Sequence, residues 1–146
     1  VTTEFVQPAS GKTTGNKDMI FEFSGDDDVW VYIDGVLVGD LGGIHEKATL
    51  KINFATGGVH VGHVDNANDP EKTIQDTTIK AMFQAAGADT SNRRFSGNTF
   101  LDSSKHTLSF FYLERGAGAS NMSLKFNLTT LPSSEVAKVD QNGEAV

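Results

Sequence analysis

The sequence predicts an all-β domain, a β-sandwich or barrel with one short helix in an inserted loop region. Apolar and polar residues alternate over 19–23 and 50–54, which is the pattern of strands with one buried face. The segments 29–33 and 108–113 are β-rich and apolar on both faces. We therefore expect these last two strands in the middle of the fold.

Turn signals divide the rest of this pattern into elements. Asp34 and Gly35 stand between two apolar runs and predict a two-residue hairpin. Alternation resumes over 122–128 after a loop at 114–121. This indicates a last strand that returns from the strand 108–113.

One helix is expected between two loops. The apolar residues at helical spacing are Ile79, Met82, Phe83 and Ala86. Asp76 or Thr77 is available as its cap, and Gly87 as its stop. The stretches 62–71 and 88–98 are rich in Asn, Asp, Gly and Ser, and are typical of long surface loops.

Length and charge limit the possible functions. The 146 residues suffice for one domain, placed at 1–131, followed by a linker at 132–146. A net charge of −7 without a basic patch argues against nucleic acid or an anionic membrane as partner. No apolar run is long enough to insert in a membrane, and the absence of cysteine excludes disulfides and thiolate metal sites.

The run Asp26, Asp27 and Asp28 at the mouth of a strand is the most informative feature. Adjacent carboxylates repel one another unless a cation offsets the repulsion or water solvates them. Calcium accepts several oxygen ligands in irregular geometry, so it suits such a turn better than magnesium or zinc. A solvated acidic turn with an Asx-turn into the strand is the alternative. The loop 114–121 offers further oxygen ligands, or is an ordinary glycine-rich loop.

Catalytic and zinc sites are weaker interpretations. The histidines are His45, His60, His63 and His106. A spacing of three places His60 and His63 on opposite faces of a strand, which argues against zinc. The carboxylates of Asp26, Asp34, Asp40 and Glu114 offer pairs for glycoside hydrolysis, but such pairs are common. We expect a protein that is not an enzyme, with no catalytic residue.

Three motifs, at 21–35, 40–45 and 111–115 with Ser120 and Asn121 nearby, occur in an order that resembles the fibro-slime branch of PA14-like domains. The resemblance covers 19–128 and implies a PA14-like β-sandwich or barrel from a bacterial surface adhesin. The tail 136–144 is similar to the opening of the Cna-B stalk domains of Gram-positive surface proteins. Together they imply an extracellular, cell-wall-anchored adhesin, with this chain as a monomeric module in a multidomain protein.

The resemblance also implies a ligand set. The calcium ligands would be Asp26, Asp27, Glu114 and Asn121, with Asp26 and Asp27 joined by a cis peptide bond. The glycan-contacting residues would be Asp26, Asp27, His45, Glu114, Gly116 and Asn121. Glu114 and Asn121 remain alternatives for the same role, and His45 has a structural role as its alternative.

The function expected from this resemblance is calcium-dependent carbohydrate binding, as in a lectin. Two vicinal hydroxyls of a glycan on host or neighbouring cells would complete the calcium shell. The alternative is a structural or protein-binding spacer that binds no glycan.

Overall fold

The computed structural model describes residues 1–43, 47–66, 68–113 and 122–130. Its strands are β1 (Thr2–Val6), β2 (Ile20–Gly25), β3 (Asp28–Ile33), β4 (Val36–Asp40), β5 (Lys47–Asn53), β6 (Gly58–Val64), β7 (Lys72–Thr78), β8 (Phe95–Ser96), β9 (Thr99–Phe100), β10 (Lys105–Leu113) and β11 (Ser123–Phe126), and its helix is α1 (Ile79–Ala85). The all-β class with one short helix is confirmed. Within the described part of the chain, no helix has the length and apolar character needed to cross a membrane.

Two antiparallel sheets form the domain. Their strand orders are β1-β10-β3-β4 and β11-β2-β5-β6-β7, and β8 and β9 form a separate small hairpin. Burial alternates along β2 and β3, so each sheet turns one face inward. Phe21 and Phe23 of one sheet lie 5.9 Å, between ring centroids, from Phe110 of the other. These contacts join the inner faces into one sandwich core.

The segments 29–33 and 108–113 lie in the middle of the four-stranded sheet, as expected. Only one face of each is buried, however. Val29, Val31 and Ile33 are fully buried, whereas Phe111 on β10 remains 50% exposed. The apolar residues on the outer face therefore do not belong to the core.

The two-residue hairpin at Asp34 and Gly35 is confirmed. Ile33 pairs with Val36, and the two turn residues have φ of 52° and 80°. A type I′ turn requires this left-handed conformation at both positions, and Asp followed by Gly adopts it readily.

The last strand occupies a different place from the predicted one. β11 pairs with β2 in the five-stranded sheet and does not return along β10. The physical reason is that β10 already has β1 on one side and β3 on the other, so both its edges are paired. The chain therefore crosses to the free edge of β2.

The helix is confirmed, but its cap is Thr78 rather than Asp76 or Thr77. The Thr78 Oγ1 accepts a hydrogen bond from the Ala81 amide at 3.0 Å, because strand β7 continues directly to the helix. The loop expected at 62–71 is also shorter than predicted, since β6 runs to Val64. Polar residues such as His60 on the outer face of β6 and Asp76 on β7 conceal these strands in the sequence.

Candidate functional site

The acidic run lies where the chain passes from one sheet to the other. Asp26 and Asp27 form the bend between β2 and β3, and Asp28 opens β3. The Asp27 side chain is buried, with the residue only 3% exposed, whereas Asp26 and Asp28 are half-buried. Successive side chains thus differ in burial, and the three carboxylates do not share one solvent-facing site.

The turn after β4 is fixed by two of the neighbouring carboxylates. Asp40 Oδ1 accepts a hydrogen bond from the Gly42 amide at 2.8 Å. Asp28 Oδ1 accepts one from the Gly43 amide at 3.2 Å. We define Asp26, Asp27, Asp28 and Asp40 as the acidic corner. Two of its members, Asp28 and Asp40, hold the backbone of this turn in place.

The described residues do not by themselves form the predicted calcium site. Within 1–43, 47–66, 68–113 and 122–130, no group of three or more His, Asp or Glu side chains is placed to hold a metal ion. The same ranges contain no cis peptide bond, so the bond between Asp26 and Asp27 is trans. The prediction of a cis bond is wrong here; the trans form of a non-proline bond is favoured by about 3 kcal/mol.

Four residues of the predicted ligand set lie outside the described residues. They are His45, Glu114, Gly116 and Asn121. The structure therefore places only Asp26 and Asp27 of that set, and the metal and glycan contacts of the other four stay predictions.

Next to the acidic corner, three aromatic side chains lie on the outer face of the four-stranded sheet. We define them as the aromatic platform: Trp30 and Tyr32 on β3, and Phe111 on β10. Phe111 is opposite Trp30 in the β10–β3 pairing. It also meets Tyr32 edge to face, with ring centroids 5.8 Å apart. The two rings thus pack on each other while Phe111 stays half exposed.

The turn held by the acidic corner packs directly against the platform. A Cβ atom added at Gly42 would lie 2.9 Å from Cζ2 of the Trp30 indole. Only glycine permits this approach of backbone to ring. Trp30 is therefore supported on one side by a turn that Asp28 and Asp40 fix.

Hydroxyl and carboxylate groups border the platform. A shallow surface cavity of about 470 Å³ lies over it and is also lined by Gly35 and Ser109. The Ser109 hydroxyl lies 3.3 Å from that of Thr2. At the other end, Asp40 is opposite Trp30 in the β3–β4 pairing. The site thus combines an apolar surface with polar groups at its rim, which is the composition of a small-ligand site.

A second cluster, which sequence reasoning missed, joins Asp34, Ser104 and His106. His106 Nδ1 lies 2.6 Å from Asp34 Oδ2, and His106 Nε2 lies 2.6 Å from Ser104 Oγ. Burial raises the pKa of Asp34, but hydrogen bonds from the His106 ring and the Thr107 amide outweigh it and hold that pKa below its usual value. Sequence spacing gives no signal for this cluster, because the fold brings Asp34 to His106, which lies 72 positions further along the chain.

This cluster has the residue types of a hydrolase triad but lacks a nucleophile's geometry. The Ser104 hydroxyl donates its one hydrogen to the Leu101 carbonyl at 2.7 Å, whereas a catalytic serine must give it to the histidine. The His106 side chain is 3% exposed and stacks on Phe100 at 3.6 Å between ring centroids. We interpret the three residues as a brace for the hairpin.

The structure separates two of the carboxylate pairs of the glycosidase interpretation, those that join Asp34 to Asp26 or to Asp40. Strand β3 begins at Asp28 and ends at Ile33, and Asp34 comes directly after it. Asp34 therefore lies roughly 20 Å along the strand from the acidic corner. Acid pairs in glycosidases are about 5 to 10 Å apart. Glu114, the remaining predicted partner, lies outside the described residues.

His60 and His63 point to opposite faces, as predicted. His63 is opposite the buried Ala48, whereas His60 is opposite Lys51 on the outer face. His60 Nδ1 lies 2.6 Å from Asp76 Oδ1, and Nε2 lies 2.9 Å from Glu71 Oε1. Both ring nitrogens are thus occupied by carboxylates on opposite sides, which is an ion-pair arrangement and not a zinc site.

We expect this ion pair to make stability depend on pH. Hydrogen bonds to Asp76 and Glu71 raise the pKa of His60 above its usual value of 6.5. The stabilisation is fully present below the unfolded-state pKa and is lost as pH rises through the higher folded-state pKa. Because the partners are exposed, we expect Tm to fall by only a degree or two between about pH 6 and about pH 9. His60→Asn should remove that part of the slope; an unchanged slope in the variant would contradict the assignment.

Fold and site together define the class of this chain as an all-β sandwich module with an exposed aromatic surface beside an acidic corner. The chain is similar to a group of psi proteins of Dictyostelium discoideum, among them psiF, psiP and psiQ. It is 36% identical to protein psiF over 124 residues, 42% identical to protein psiP over 62 residues, and 65% identical to protein psiQ over 34 residues. These matches cover 85%, 42% and 23% of this chain.

The chain corresponds to a small part of each relative. The matched segments span 13% of psiF, 8% of psiP and 4% of psiQ. No family model matches the chain, and no solved structure matches it.

These comparisons correct the source and family expected from the motifs. The relatives are eukaryotic, so a cell-wall-anchored module of a Gram-positive bacterial adhesin is wrong. The assignment to a fibro-slime PA14-like domain of a bacterial adhesin is corrected with it, because the relatives are psi proteins of Dictyostelium discoideum. The motifs misled because they are short and meet local demands of the fold: Asp34 and Gly35 form a turn, and Gly42 must clear the Trp30 ring.

Proposed function

We propose that this module binds neutral glycans through the aromatic platform and catalyses no reaction. The observation that carries the proposal is the outward position of Trp30, Tyr32 and Phe111 on one sheet face. The outer face of an antiparallel sheet is ordinarily polar, and clustered aromatic side chains at such a place mark interaction sites.

The chemistry of the site fits a sugar ring. The C–H face of a pyranose is apolar and flat, and it matches an indole or phenyl surface. Its hydroxyls project outward, where the carboxylate of Asp40 accepts hydrogen bonds and the hydroxyl of Ser109 accepts or donates them. An apolar floor with a few polar groups at the edge is what orients a small polar ligand.

Charge favours neutral over acidic glycans. Asp28 and Asp40 stand at one end of the platform, and the chain carries a net charge of −7. A sulfate or carboxylate group on the sugar would be repelled by these carboxylates.

Calcium binding by the acidic corner is a separate part of this proposal. The acidic corner adjoins the platform, and Asp26 and Asp27 remain the aspartates proposed to contact the ion. Additional oxygen ligands are required, because calcium takes six to eight and the described residues supply no complete group. A single shallow site should bind glycan weakly, with a Kd of about 1 mM. Tight attachment would then require several copies of the module binding together.

The experiment is a glycan array probed with the labelled chain, once with calcium and once with chelator. We expect signal on neutral glycans and little on sialylated or sulfated ones. Loss of signal with chelator would support the calcium step, and retained signal would support the platform alone. Signal confined to acidic glycans would contradict the proposal.

A protein-binding spacer is the second candidate. Leu113, which is 60% exposed, extends the apolar surface beyond Phe111 along β10. Aromatic and aliphatic groups of this kind anchor protein interfaces. An array without signal in either condition would favour this candidate.

A further inference from the structure

The aromatic platform divides into two parts along β3. Tyr32 and Phe111 pack edge to face, with 78° between their ring planes. Within the described part of the chain, Trp30 makes no ring contact with either of them, although Phe111 is opposite it in the sheet. The Phe111 ring is therefore turned toward Tyr32, and Trp30 forms a separate apolar surface.

The spacing of residues along the strand separates the two parts. Trp30 and Tyr32 are two positions apart on β3 and lie on the same face, a separation of about 7 Å. A pyranose ring is similar in size to a phenyl ring, so one sugar covers only one of the two surfaces. A second sugar is needed to cover the other.

Each part has its own polar group. Asp40 is opposite Trp30 in the β3–β4 pairing, and a carboxylate accepts hydrogen bonds from sugar hydroxyls. Ser109 is opposite Tyr32 in the β10–β3 pairing, and its hydroxyl lies 3.3 Å from that of Thr2. Each part thus combines an apolar ring with a hydrogen-bonding group, which is the combination that orients a single small polar ligand.

The cavity over the platform continues past Tyr32 to the hairpin. This cavity of about 470 Å³ is lined there by Gly35. Apart from its chain neighbours, no described residue comes within 4 Å of a Cβ atom placed on Gly35. The cavity is therefore open at the hairpin, and a ligand longer than two sugars can extend beyond it.

We propose, as an extension that rests on the glycan-binding function above, that the platform holds two consecutive sugars of a linear neutral oligosaccharide lying along β3. One sugar occupies the tryptophan subsite, which we define as Trp30 and Asp40. The next sugar occupies the tyrosine subsite, which we define as Tyr32, Phe111 and Ser109. Because the two sugars are joined, the second one binds without a further loss of translational freedom, and it therefore strengthens binding.

Calorimetric titration of the full chain with neutral sugars of increasing length tests this proposal. The probes are glucose, galactose, mannose and N-acetylglucosamine, each as the methyl glycoside and as linear dimers, trimers and tetramers. We expect the Kd to fall about tenfold or more from the monosaccharide to the dimer or trimer of the sugar that binds, and to change little with further length. An equal Kd at all lengths would overturn the two subsites and leave the proposed function intact. Absence of binding by every probe would contradict both.

Two variants assign the gain with length to the tryptophan subsite. Trp30→Leu keeps an apolar side chain against Gly42 but removes the flat ring, so the Kd values of monosaccharide and trimer should differ by only about twofold or less. Ile74→Ala is the matched control, since Ile74 is 50% exposed on β7 of the other sheet, and this variant should keep the full gain. A Trp30→Leu protein that keeps the full gain would show that the second sugar binds elsewhere and would overturn the proposal. The length series on the parent chain tests the two subsites independently of these variants.

Discussion

Replacing Phe111 by alanine should weaken glycan binding about tenfold or more. The half-exposed ring supplies one third of the platform and is opposite Trp30 in the sheet. Contact of a phenyl ring with an apolar surface contributes about 1.5 to 3 kcal/mol, and 1.4 kcal/mol corresponds to a tenfold change in Kd. Titration with the glycan selected on the array measures the effect.

The chain offers a matched control for this substitution. Phe126 has nearly the same exposure, 53% against 50%, and lies on the other sheet. Phe126→Ala should leave the Kd unchanged. If both variants bind like the parent chain, or if both lose binding equally, the platform is not the glycan site.

Gly57→Ala should be the most destabilising of the glycine substitutions considered, with a loss of about 3 kcal/mol or more in the free energy of unfolding. Gly57 has φ of +83°, and a Cβ there would lie 2.2 Å from the Asn98 carbonyl oxygen. Its own carbonyl accepts from the Ile79 amide at 2.8 Å, which fixes the start of α1. The backbone of Asn98 must therefore move, and the helix start with it.

The variant Gly87→Ala measures the cost of a positive φ alone, without the steric clash that a Cβ atom meets at Gly57. Gly87 has φ of +77°, but nothing lies within 4 Å of a Cβ placed there. This variant should lose only about 1 to 2 kcal/mol in the free energy of unfolding, which is the cost of placing a non-glycine residue in the left-handed conformation. Urea unfolding of both variants gives the comparison; equal losses would show that the contact with Asn98 does not constrain the fold.

Much of the fold could be predicted from alternation and turns. The segments 29–33 and 108–113 are strands in the middle of a sheet, and Asp34 with Gly35 forms the hairpin. Strand β7 was not predictable in this way, because its residues are mostly polar and exposed on an edge strand. The partner of β11 was not predictable either, since it depends on which strand edges are already paired.

The candidate site was predicted in part. The acidic run correctly marked the start of β3. The order of residues in the sequence does not show, however, that the Asp27 side chain is buried while those of Asp26 and Asp28 are half-buried. The strands that carry Trp30 and Phe111 are apolar on both faces, which predicts their place in the middle of the fold but does not show which of the two faces is covered. The outer face of a sheet is covered only if the fold has a further layer on that side. The number of layers is a property of the whole fold, and the sequence of one strand does not predict it.

The most direct test of the glycan-binding proposal is the fluorescence of Trp30 during glycan titration. Trp30 is the single tryptophan of the chain and lies in the platform itself. We predict a saturable change in its emission with neutral glycan, at the same midpoint as binding measured calorimetrically. Calorimetric binding without any change in Trp30 emission would place the ligand elsewhere and contradict the proposal.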